Sequence, residues 1–405
     1  MLRIFSYILS LIMLAQLCIP TAAAAGEKLP ELSASCAVLM DGGSGRVLFE
    51  KEARVLRPIA SVTKLMTALV AVSICEDLEE LVTVTPAEAA TAGSSVYLRA
   101  GEEISVEDLL YGLLLESGND ASAALARHLA GEESLFVDWM NQWAIVLGMK
   151  NTRFSNPSGL PGEGQFSTAY DVALLSRAVL EHEFLARIVA TRSVVRGERS
   201  FTNHNRLLWE YEGCIGLKTG YTDEAGRTLS TAARRDGRTL IAVTLKAPDD
   251  WNDHTALLDH GFSAFRQSAL IEGGKVFRSV EVRGALVPMV QVAAHTSVYY
   301  PLRNDEQVRM EIELSNWVQA PVKAGAITGS VRFFLGEEQV GHSYLIFTQS
   351  VADDSLQSLG IVGFFRSMLR KREAFSQRYA ATLSPAVTVS LPAVKKDYYS
   401  FAPFR

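Results

Sequence analysis

The chain reads Pro58-Ile59-Ala60-Ser61-Val62-Thr63-Lys64-Leu65-Met66-Thr67 at the point that decides its fold. The apolar residues after it predict a buried helix, on which residues three positions apart share one face. A serine hydroxyl is a weak nucleophile at neutral pH and needs a base within hydrogen-bond reach. Lysine can be that base when burial and positive neighbours keep its amine neutral. The spacing predicts a nucleophile, Ser61, beside a base, Lys64, although a surface helix carries both residue types just as readily.

Two further motifs strengthen this interpretation because they belong to the same chemistry and follow in the same order. The first is Ser117-Gly118-Asn119-Asp120, and the second, much further along the chain, is Gly216-Leu217-Lys218-Thr219-Gly220-Tyr221. The motif order S-x-x-K, S-D-N and K-T-G is typical of penicillin-binding proteins and class A β-lactamases. Here the middle motif is Ser-Gly-Asn.

On these motifs the chain closely resembles the low-molecular-weight penicillin-binding proteins that are serine-type D-alanyl-D-alanine carboxypeptidases. The resemblance runs from about Ser33 to Phe265. Five further stretches match the wording of that family in its order: Gly93-Ser-Ser-Val-Tyr-Leu98, Asn156-Pro-Ser-Gly-Leu160, Ser167-Thr-Ala-Tyr-Asp171, Asn203-His-Asn-Arg-Leu-Leu-Trp209 and Thr222-Asp-Glu-Ala-Gly226. The resemblance implies a β-lactamase/transpeptidase-like fold.

The resemblance also implies a reaction in two covalent steps. Ser61 is acylated by the penultimate D-alanine carbonyl of a peptidoglycan stem peptide, the terminal D-alanine leaves, and water then frees the enzyme. Ser117 would relay a proton to the leaving amine. Asn119 would hold the peptide amide and Lys64, and Lys218 would make the cleft positive.

The second wall of the implied cleft is the stretch after Lys218. Thr219 would hydrogen-bond the substrate carboxylate, and Gly220 belongs to the same substrate-binding stretch. The backbone N–H groups of Ser61 and Tyr221 would hold the oxyanion, as pre-organised donors do in acyl transfer. Neither a metal nor another cofactor is implied.

Each motif has a structural alternative. Ser117 and Asn119 are residue types that often cap a helix, and a helix is predicted to begin near Asp120. Lys218-Thr219-Gly220 would serve equally as a strand end and turn. His204, which stands between two asparagines, is interpreted as a structural hydrogen-bonding residue rather than an acid or base.

Periodicity predicts strands at both ends of this region and helices between them. The predicted segments are a hairpin at 36–50, helices at 59–74, 104–115 and 121–129, and a second hairpin at 228–245. Strands that pair as hairpins, with helices packed against them, favour an α+β architecture with an antiparallel sheet. We place this transpeptidase-like domain at residues 27–266.

The chain changes character beyond about Leu270. Short alternating segments separated by Gly, Asn and Pro turns predict a small all-β sandwich domain at 271–350. In the family such a domain stands as a spacer. Residues 355–376 resemble a basic amphipathic helix that lies in a membrane interface, with packing against the β domain as the alternative. Residues 377–405 are predicted to be a flexible tail.

The N-terminus predicts export. Arg3 precedes an apolar run and a small-residue site, which together are typical of a secretory signal peptide at residues 1–25. A membrane anchor is the alternative. Removing Cys18 with the signal leaves three cysteines, so at least one thiol is free and no disulfide framework is implied. The formal net charge of -6 argues against a nucleic-acid-binding protein.

The sequence therefore predicts an exported, peripherally membrane-bound carboxypeptidase that trims stem pentapeptides and is inhibited covalently by β-lactam antibiotics. A β-lactamase is the alternative enzyme, but the chain has no clear equivalent of the class A deacylating glutamate. A wall-bound binding protein that does not turn peptide over is the alternative outside catalysis. Endopeptidase activity on cross-links would use the same residues.

Overall fold

The computed structural model describes residues 29–354 and four later positions, Gly360, Gly363, Phe365 and Met368, the last three of them helical. The predicted signal peptide and the predicted tail lie outside the described residues. The predicted amphipathic helix also lies outside them, apart from those four positions.

The chain divides into two compact units. The first runs up to Ala269 and includes Tyr299–Val308, and the second contains Leu270–Val298 and the residues from Arg309 onward. The domain boundaries stated above stay a prediction.

The first unit is built on an antiparallel sheet. Its strands are β1 (Cys36–Asp41), β2 (Val47–Lys51), β3 (Leu81–Thr83), β4 (Glu103–Ser105), β5 (Ser193–Arg196), β6 (Arg199–Thr202), β7 (Cys214–Thr222), β8 (Gly226–Arg235) and β9 (Arg238–Leu245). Five of them form one sheet in the order β2-β1-β9-β8-β7, while β3-β4 and β5-β6 are separate two-stranded ribbons. Both predicted hairpins, β1-β2 and β8-β9, are confirmed.

The helices lie between the strands in the chain. They are α1 (Lys64–Ile74), α2 (Pro86–Ala89), α3 (Val106–Leu115), α4 (Asn119–Ala130), α5 (Glu133–Val146), α6 (Ala169–Glu181), α7 (Glu183–Ala190), α8 (Leu207–Glu210) and α9 (Asp250–Ala264). The predicted helix at 59–74 is confirmed with one difference. It begins as a 3-10 turn, Ala60–Thr63, whose first residue, Ala60, has a φ of +49° that an α-helix does not contain.

The sheet is a central layer that is buried on both faces. Along β1, Cys36, Val38 and Met40 belong to the hydrophobic cluster that contains the residues of α1 and α3. Ala37 and Leu39 belong to the cluster formed with α9. Successive strand residues point to opposite faces, so one strand contributes to both clusters. The α+β layers therefore hold the 3-10 turn Ala60–Thr63, which precedes α1, against β7 and β8.

A buried histidine connects α9 to two strands of the sheet. His254 Nδ1 lies 2.6 Å from Thr231 Oγ1 on β8, and its Nε2 lies 2.9 Å from Thr244 Oγ1 on β9. Burial lowers the pKa of His254 to about 3. The neutral ring has one donor and one acceptor nitrogen, and each can be satisfied by a threonine hydroxyl.

The second unit confirms the predicted all-β character of the region after 270. Its strands are β11 (Val276–Arg283), β12 (Met289–Ala294), β14 (Val308–Leu314), β15 (Trp317–Gln319), β16 (Ile327–Leu335) and β17 (Glu338–Phe347). They form a six-stranded sheet in the order β14-β16-β17-β12-β11-β15. Two further strands, β10 (Arg266–Ile271) and β13 (Val298–Leu302), pair with each other and consist mostly of residues of the first unit.

Among the residues that the structure describes, Cys36, Cys75 and Cys214 are free thiols. Within the part of the chain that the structure describes, no helix combines the length and the apolar composition that crossing a bilayer requires.

Candidate active site

Ser61 and Lys64 lie at the junction of the 3-10 turn and α1. Ser61 is partly exposed on the turn, and Lys64, the first residue of α1, is fully buried. Lys64 Nζ lies 3.0 Å from Ser61 Oγ. The three-residue spacing therefore brings the hydroxyl and the amine into direct hydrogen-bond contact.

The Lys64 amine has two further partners, each from a different element. It donates to Asn119 Oδ1 and to the backbone carbonyl of Ser158, both at 2.7 Å. These oxygens can only accept hydrogen bonds, so a neutral amine directs both of its N–H groups at them. Its lone pair is then left for the Ser61 hydroxyl, which is the orientation that a general base needs.

The surroundings of Lys64 favour that neutral form. Burial lowers the pKa of Lys64 well below its ordinary value, the charge of Lys218 lowers the pKa further, and Asp120 raises it in part. Burial also lowers the pKa of Lys218 to about 7. Both amines are thus less basic than in water, because an ammonium ion without solvent is costly.

Ser117 lies between α3 and α4, Asn119 is the first residue of α4, and the capping alternative for them is wrong. The residue that caps α4 is Gly118, and no side chain makes a capping hydrogen bond there. Asn119 Nδ2 instead donates to the Ala92 carbonyl at 2.7 Å, which fixes the amide whose oxygen faces Lys64. Ser117 has a φ of +64°, and its hydroxyl has no hydrogen-bond partner among the described residues.

The stretch from Lys218 to Tyr221 lies inside β7, which continues to Thr222, and not at a strand end. Lys218 Nζ donates to the Thr219 carbonyl at 2.9 Å. The Thr219 hydroxyl has no partner in the part of the chain described here. The Tyr221 ring is exposed, and its hydroxyl donates to Asp223.

Gly220 lets β7 approach the turn that carries Ser61. A Cβ at this position would lie 2.5 Å from Thr228 Oγ1 and 2.9 Å from the backbone nitrogen of Ser61. Thr228 in turn donates to the Ile59 carbonyl at 3.1 Å, which connects β8 to the same turn. Only glycine allows backbones to come this close.

The Ser158 carbonyl is a functional group that sequence reasoning missed. Asn156 Oδ1 accepts hydrogen bonds from the backbone N–H groups of Ser158 and Gly159, at 3.2 and 2.8 Å, and so shapes the loop. Thr67 on α1 donates to the Pro157 carbonyl at 2.6 Å. The Asn156–Leu160 motif was a signal for this loop, but a motif does not tell which backbone oxygen is used.

Asp120 is a second residue whose role the sequence analysis did not predict. Its buried carboxylate accepts hydrogen bonds from the backbone N–H groups of Val96 and Leu98, at 3.1 Å, and from Ser95 Oγ at 2.6 Å. It therefore holds the 93–98 loop against α4. Its position after Asn119 in the motif was the only signal available.

His204 lies beside this site and makes a contact of the structural kind that was predicted for it. Its Nε2 is 3.3 Å from Glu116 Oε2, and Glu116 also accepts from the backbone N–H of Thr202. No group of side chains that could hold a metal ion is found among the described residues. The site brings a serine hydroxyl into contact with a buried amine and adds hydroxyls without partners among the described residues, an arrangement that suits attack on a carbonyl carbon.

Comparisons with family models identify two regions. Residues 22–249 match the model described as D-alanyl-D-alanine carboxypeptidase. Residues 265–353 match the model described as penicillin-binding protein 5, C-terminal domain. Together these regions cover most of the chain.

Individual proteins agree with the family models. The chain is 31% identical over 358 residues to D-alanyl-D-alanine carboxypeptidase DacF of Bacillus subtilis, covering 84% of this chain and 91% of that protein. It is 34% identical over 360 residues to DacC of Escherichia coli, covering 82% and 88%. The solved structure of penicillin binding protein 5 from Haemophilus influenzae has a TM-score of 0.68 and 28% identity, covering 81% of this chain and 100% of that one.

The loop that presents the Ser158 carbonyl depends on glycine at position 159. Gly159 has a φ of +83°, and a Cβ there would lie 2.0 Å from the Ala60 carbonyl oxygen. Gly131 has a similar φ of +79° but open space around it. We expect Gly131→Ala to lower the free energy of unfolding by about 1 kcal/mol from backbone strain alone. Gly159→Ala should lower it by about 3 kcal/mol or more, because the clash adds to the strain.

Urea denaturation of the two variants and the wild-type protein measures this difference. Gly131→Ala is the matched control for the strain of a positive φ. Equal losses in both variants would show that the close approach of the 156–160 loop to Ala60 is not a constraint.

Proposed function

Because the chain belongs to the D-alanyl-D-alanine carboxypeptidase family, we propose that Ser61 is the nucleophile and Lys64 the general base of its reaction. The protein is a serine peptidase of the cell wall that acts on peptidoglycan and binds penicillin. The residue assignment rests on the hydrogen-bond contacts of the Lys64 amine. Its two N–H groups are taken by Asn119 and Ser158 at 2.7 Å, and Ser61 Oγ stands at 3.0 Å.

In the first step, Ser61 Oγ attacks the carbonyl carbon of the penultimate D-alanine while its proton moves to Lys64 Nζ. The C–N bond to the terminal D-alanine then breaks, and the leaving nitrogen receives a proton through the Ser117 hydroxyl. The support for this role of Ser117 is that its side chain is buried and that its hydroxyl has no hydrogen-bond partner among the described residues. Splitting hydrolysis in this way replaces one difficult step by two easier ones.

The negative charge on the carbonyl oxygen is held by the backbone N–H groups of Ser61 and Tyr221. The support for this is the closeness of β7 to the 3-10 turn, which Gly220 permits. Removing one such donor in comparable enzymes costs about 100-fold or more in kcat, because the donors are already oriented when charge develops.

The substrate is bound by groups whose hydrogen bonds are still available. The Thr219 hydroxyl donates a hydrogen bond to the terminal carboxylate, and Lys218 supplies positive charge when it is protonated. Asn119 holds the peptide amide. A carboxylate in a buried, positive cleft is bound more strongly than in water because solvent does not screen it.

Water attacks the acyl-enzyme in the second step and frees Ser61. Attack on a β-lactam carbonyl follows the same path, but the leaving nitrogen stays tethered in the opened ring and blocks the approach of water. This explains covalent inhibition by penicillins. The match of residues 265–353 to the C-terminal domain of penicillin-binding protein 5 also favours the carboxypeptidase over the β-lactamase alternative.

Intact-mass spectrometry tests the nucleophile. We expect one penicilloyl adduct on the wild-type protein and none on Ser61→Ala, with D-alanine release from a stem pentapeptide lost in the same variant. Ser73→Ala is the matched control, because Ser73 lies at the far end of α1 and bonds the Leu69 carbonyl. An adduct without D-alanine release would support the wall-bound binding protein instead, and no adduct at all would remove Ser61 from the mechanism.

The pH dependence of acylation tests the base. Lys64 must be unprotonated to act, so the rate falls as pH drops through its pKa. The positive charge of Lys218 lowers the pKa of Lys64. Lys218→Gln removes that charge, so the pKa of Lys64 rises and the acid limb of the pH–rate profile should move to higher pH.

Labelled-penicillin acylation rates across pH measure this shift. Lys218→Arg keeps a positive charge and should leave the acid limb closer to that of the wild-type protein. Lys150→Gln, a substitution of an exposed lysine, controls for the loss of one positive charge. An acid limb that stays in place in Lys218→Gln contradicts Lys64 as the base.

We also propose that residues 1–25 direct export of the protein and that residues 355–376 contact the membrane surface. The support is the sequence, in which Arg366, Arg370, Lys371 and Arg372 accompany apolar residues, and the exposure of Phe365 and Met368. Action on peptidoglycan already implies a place outside the cytoplasm.

Vesicle flotation tests the membrane contact. The chain from Gly26 onward should float with vesicles of phosphatidylglycerol and phosphatidylcholine, and more weakly at high salt because the attraction is partly electrostatic. The same chain lacking residues 355–405 should stay at the bottom. Flotation of both forms, or of neither, rejects the assignment of residues 355–376.

A further inference from the structure

The loop at 93–98 holds an aromatic side chain in an unusual state. Tyr97 has a φ of +59°, a region that bulky residues rarely occupy, and 82% of its surface is exposed. Its ring takes part in no ring stacking or cation–π contact, and its hydroxyl has no partner, within the residues that the structure describes. Neither burial nor a side-chain contact of Tyr97 therefore accounts for the strained backbone.

The backbone around Tyr97 is held from several sides. Asp120 accepts the N–H groups of the two flanking residues, Val96 and Leu98, whose own side chains are buried. Ser95 Oγ accepts the N–H of Tyr97 at 2.8 Å. Arg199, which is paired with Glu102, donates to the carbonyl of Val96. These contacts stabilise a conformation that an exposed tyrosine would not adopt by itself.

The same loop lies directly against Asn119. The backbone N–H of Asn119 donates to the Ser94 carbonyl at 2.7 Å, and Asn119 Nδ2 donates to the Ala92 carbonyl. A Cβ at Gly93 would lie 2.5 Å from Asn119 Nδ2. The loop that carries Tyr97 is therefore part of the wall that positions Asn119.

Strained residues elsewhere in the site support a functional interpretation of Tyr97. Ala60, which precedes Ser61, and Ser117 also have positive φ values without being glycine. Strain of this kind persists where the surrounding structure enforces it, and it concentrates at active sites. Of these three residues, Tyr97 is the one that has no role in the reaction proposed above and does not adjoin a residue that has one.

We propose that Tyr97 is a specificity-determining residue that contacts the stem peptide on the N-terminal side of the scissile D-alanyl-D-alanine bond. This inference rests on the proposed function, in which Asn119 binds the peptide amide. An exposed ring on the loop that contacts Asn119 would meet the residue that precedes the D-alanine pair. Its apolar face packs on the methylene groups of a long side chain there, and its free hydroxyl reaches a polar end.

Kinetics with substrates of increasing length test the inference. The substrates are acetyl-D-alanyl-D-alanine, a stem pentapeptide with a diamino acid at its third position, and the same pentapeptide on its disaccharide. Tyr97→Gly removes the ring and also relieves the strain, because glycine accepts a positive φ. We expect it to raise KM about 5-fold for both pentapeptide substrates with little change in kcat, as for the loss of uniform binding.

Two further measurements separate the ring from the loop. Tyr97→Gly should leave the KM for acetyl-D-alanyl-D-alanine and the rate of acylation by 6-aminopenicillanic acid unchanged, since neither ligand carries more than an acetyl group on the N-terminal side of the D-alanine pair or its mimic. Tyr97→Phe should keep most of the wild-type KM. Ile145→Ala, a change of another strongly exposed side chain, on α5, is the matched control and should alter nothing.

Each other outcome overturns the inference. An equal loss with the acetylated dipeptide and the pentapeptide would mean that the change disturbs Asn119. A loss only with the disaccharide substrate would assign the ring to the glycan, and no loss at all would leave the ring without a part in binding. If the wild-type protein releases D-alanine normally, any of these results rejects the Tyr97 contact alone and leaves the proposed function standing.

Discussion

The hydrogen bonding of one buried amine is the constraint on which the rest of the site depends. Lys64 is fully buried, and its charged form would lack the solvent that stabilises an ammonium ion. Asn119 and Ser158 each accept one of its N–H groups, so in the neutral amine the lone pair is left for Ser61 Oγ at 3.0 Å. The partners come from α4, from the 156–160 loop and from the 3-10 turn. Three separate parts of the chain must therefore meet within one hydrogen-bond length of one atom.

The close approach of these three parts of the chain constrains the conformation of the backbone. Gly220 and Gly159 stand where a Cβ would collide with the 3-10 turn from two directions. Ala60 and Ser117 accept positive φ values at the two ends of the site. The buried sheet and the helices around it supply the packing that enforces these conformations, because a close-packed interior does not yield to local strain.

Many features of the site could be predicted from local pattern. Ser61 and Lys64 meet because their spacing is a property of one helical turn, and the β8-β9 hairpin follows from a turn at Asp236-Gly237 between alternating strands. The Ser158 carbonyl and the carboxylate of Asp120 could not be predicted in the same way. A backbone oxygen has no residue type to mark it, and a carboxylate on a helix reveals nothing of the loop it binds. The 3-10 turn before α1 was missed because no local residue pattern marks the positive φ of Ala60.

The sequence by itself determined the residue types, the order of the three motifs and the α+β class, because these depend on short-range spacing and on the alternation of apolar residues. Only the tertiary structure decided which of those groups touch. It showed that Asn119 holds Lys64 and does not cap α4, that Lys218 lies inside β7, and that Tyr97 is exposed in a strained conformation on the loop that contacts Asn119. The physical reason is that burial and hydrogen-bond partners come from residues distant in the chain, so no local pattern contains them.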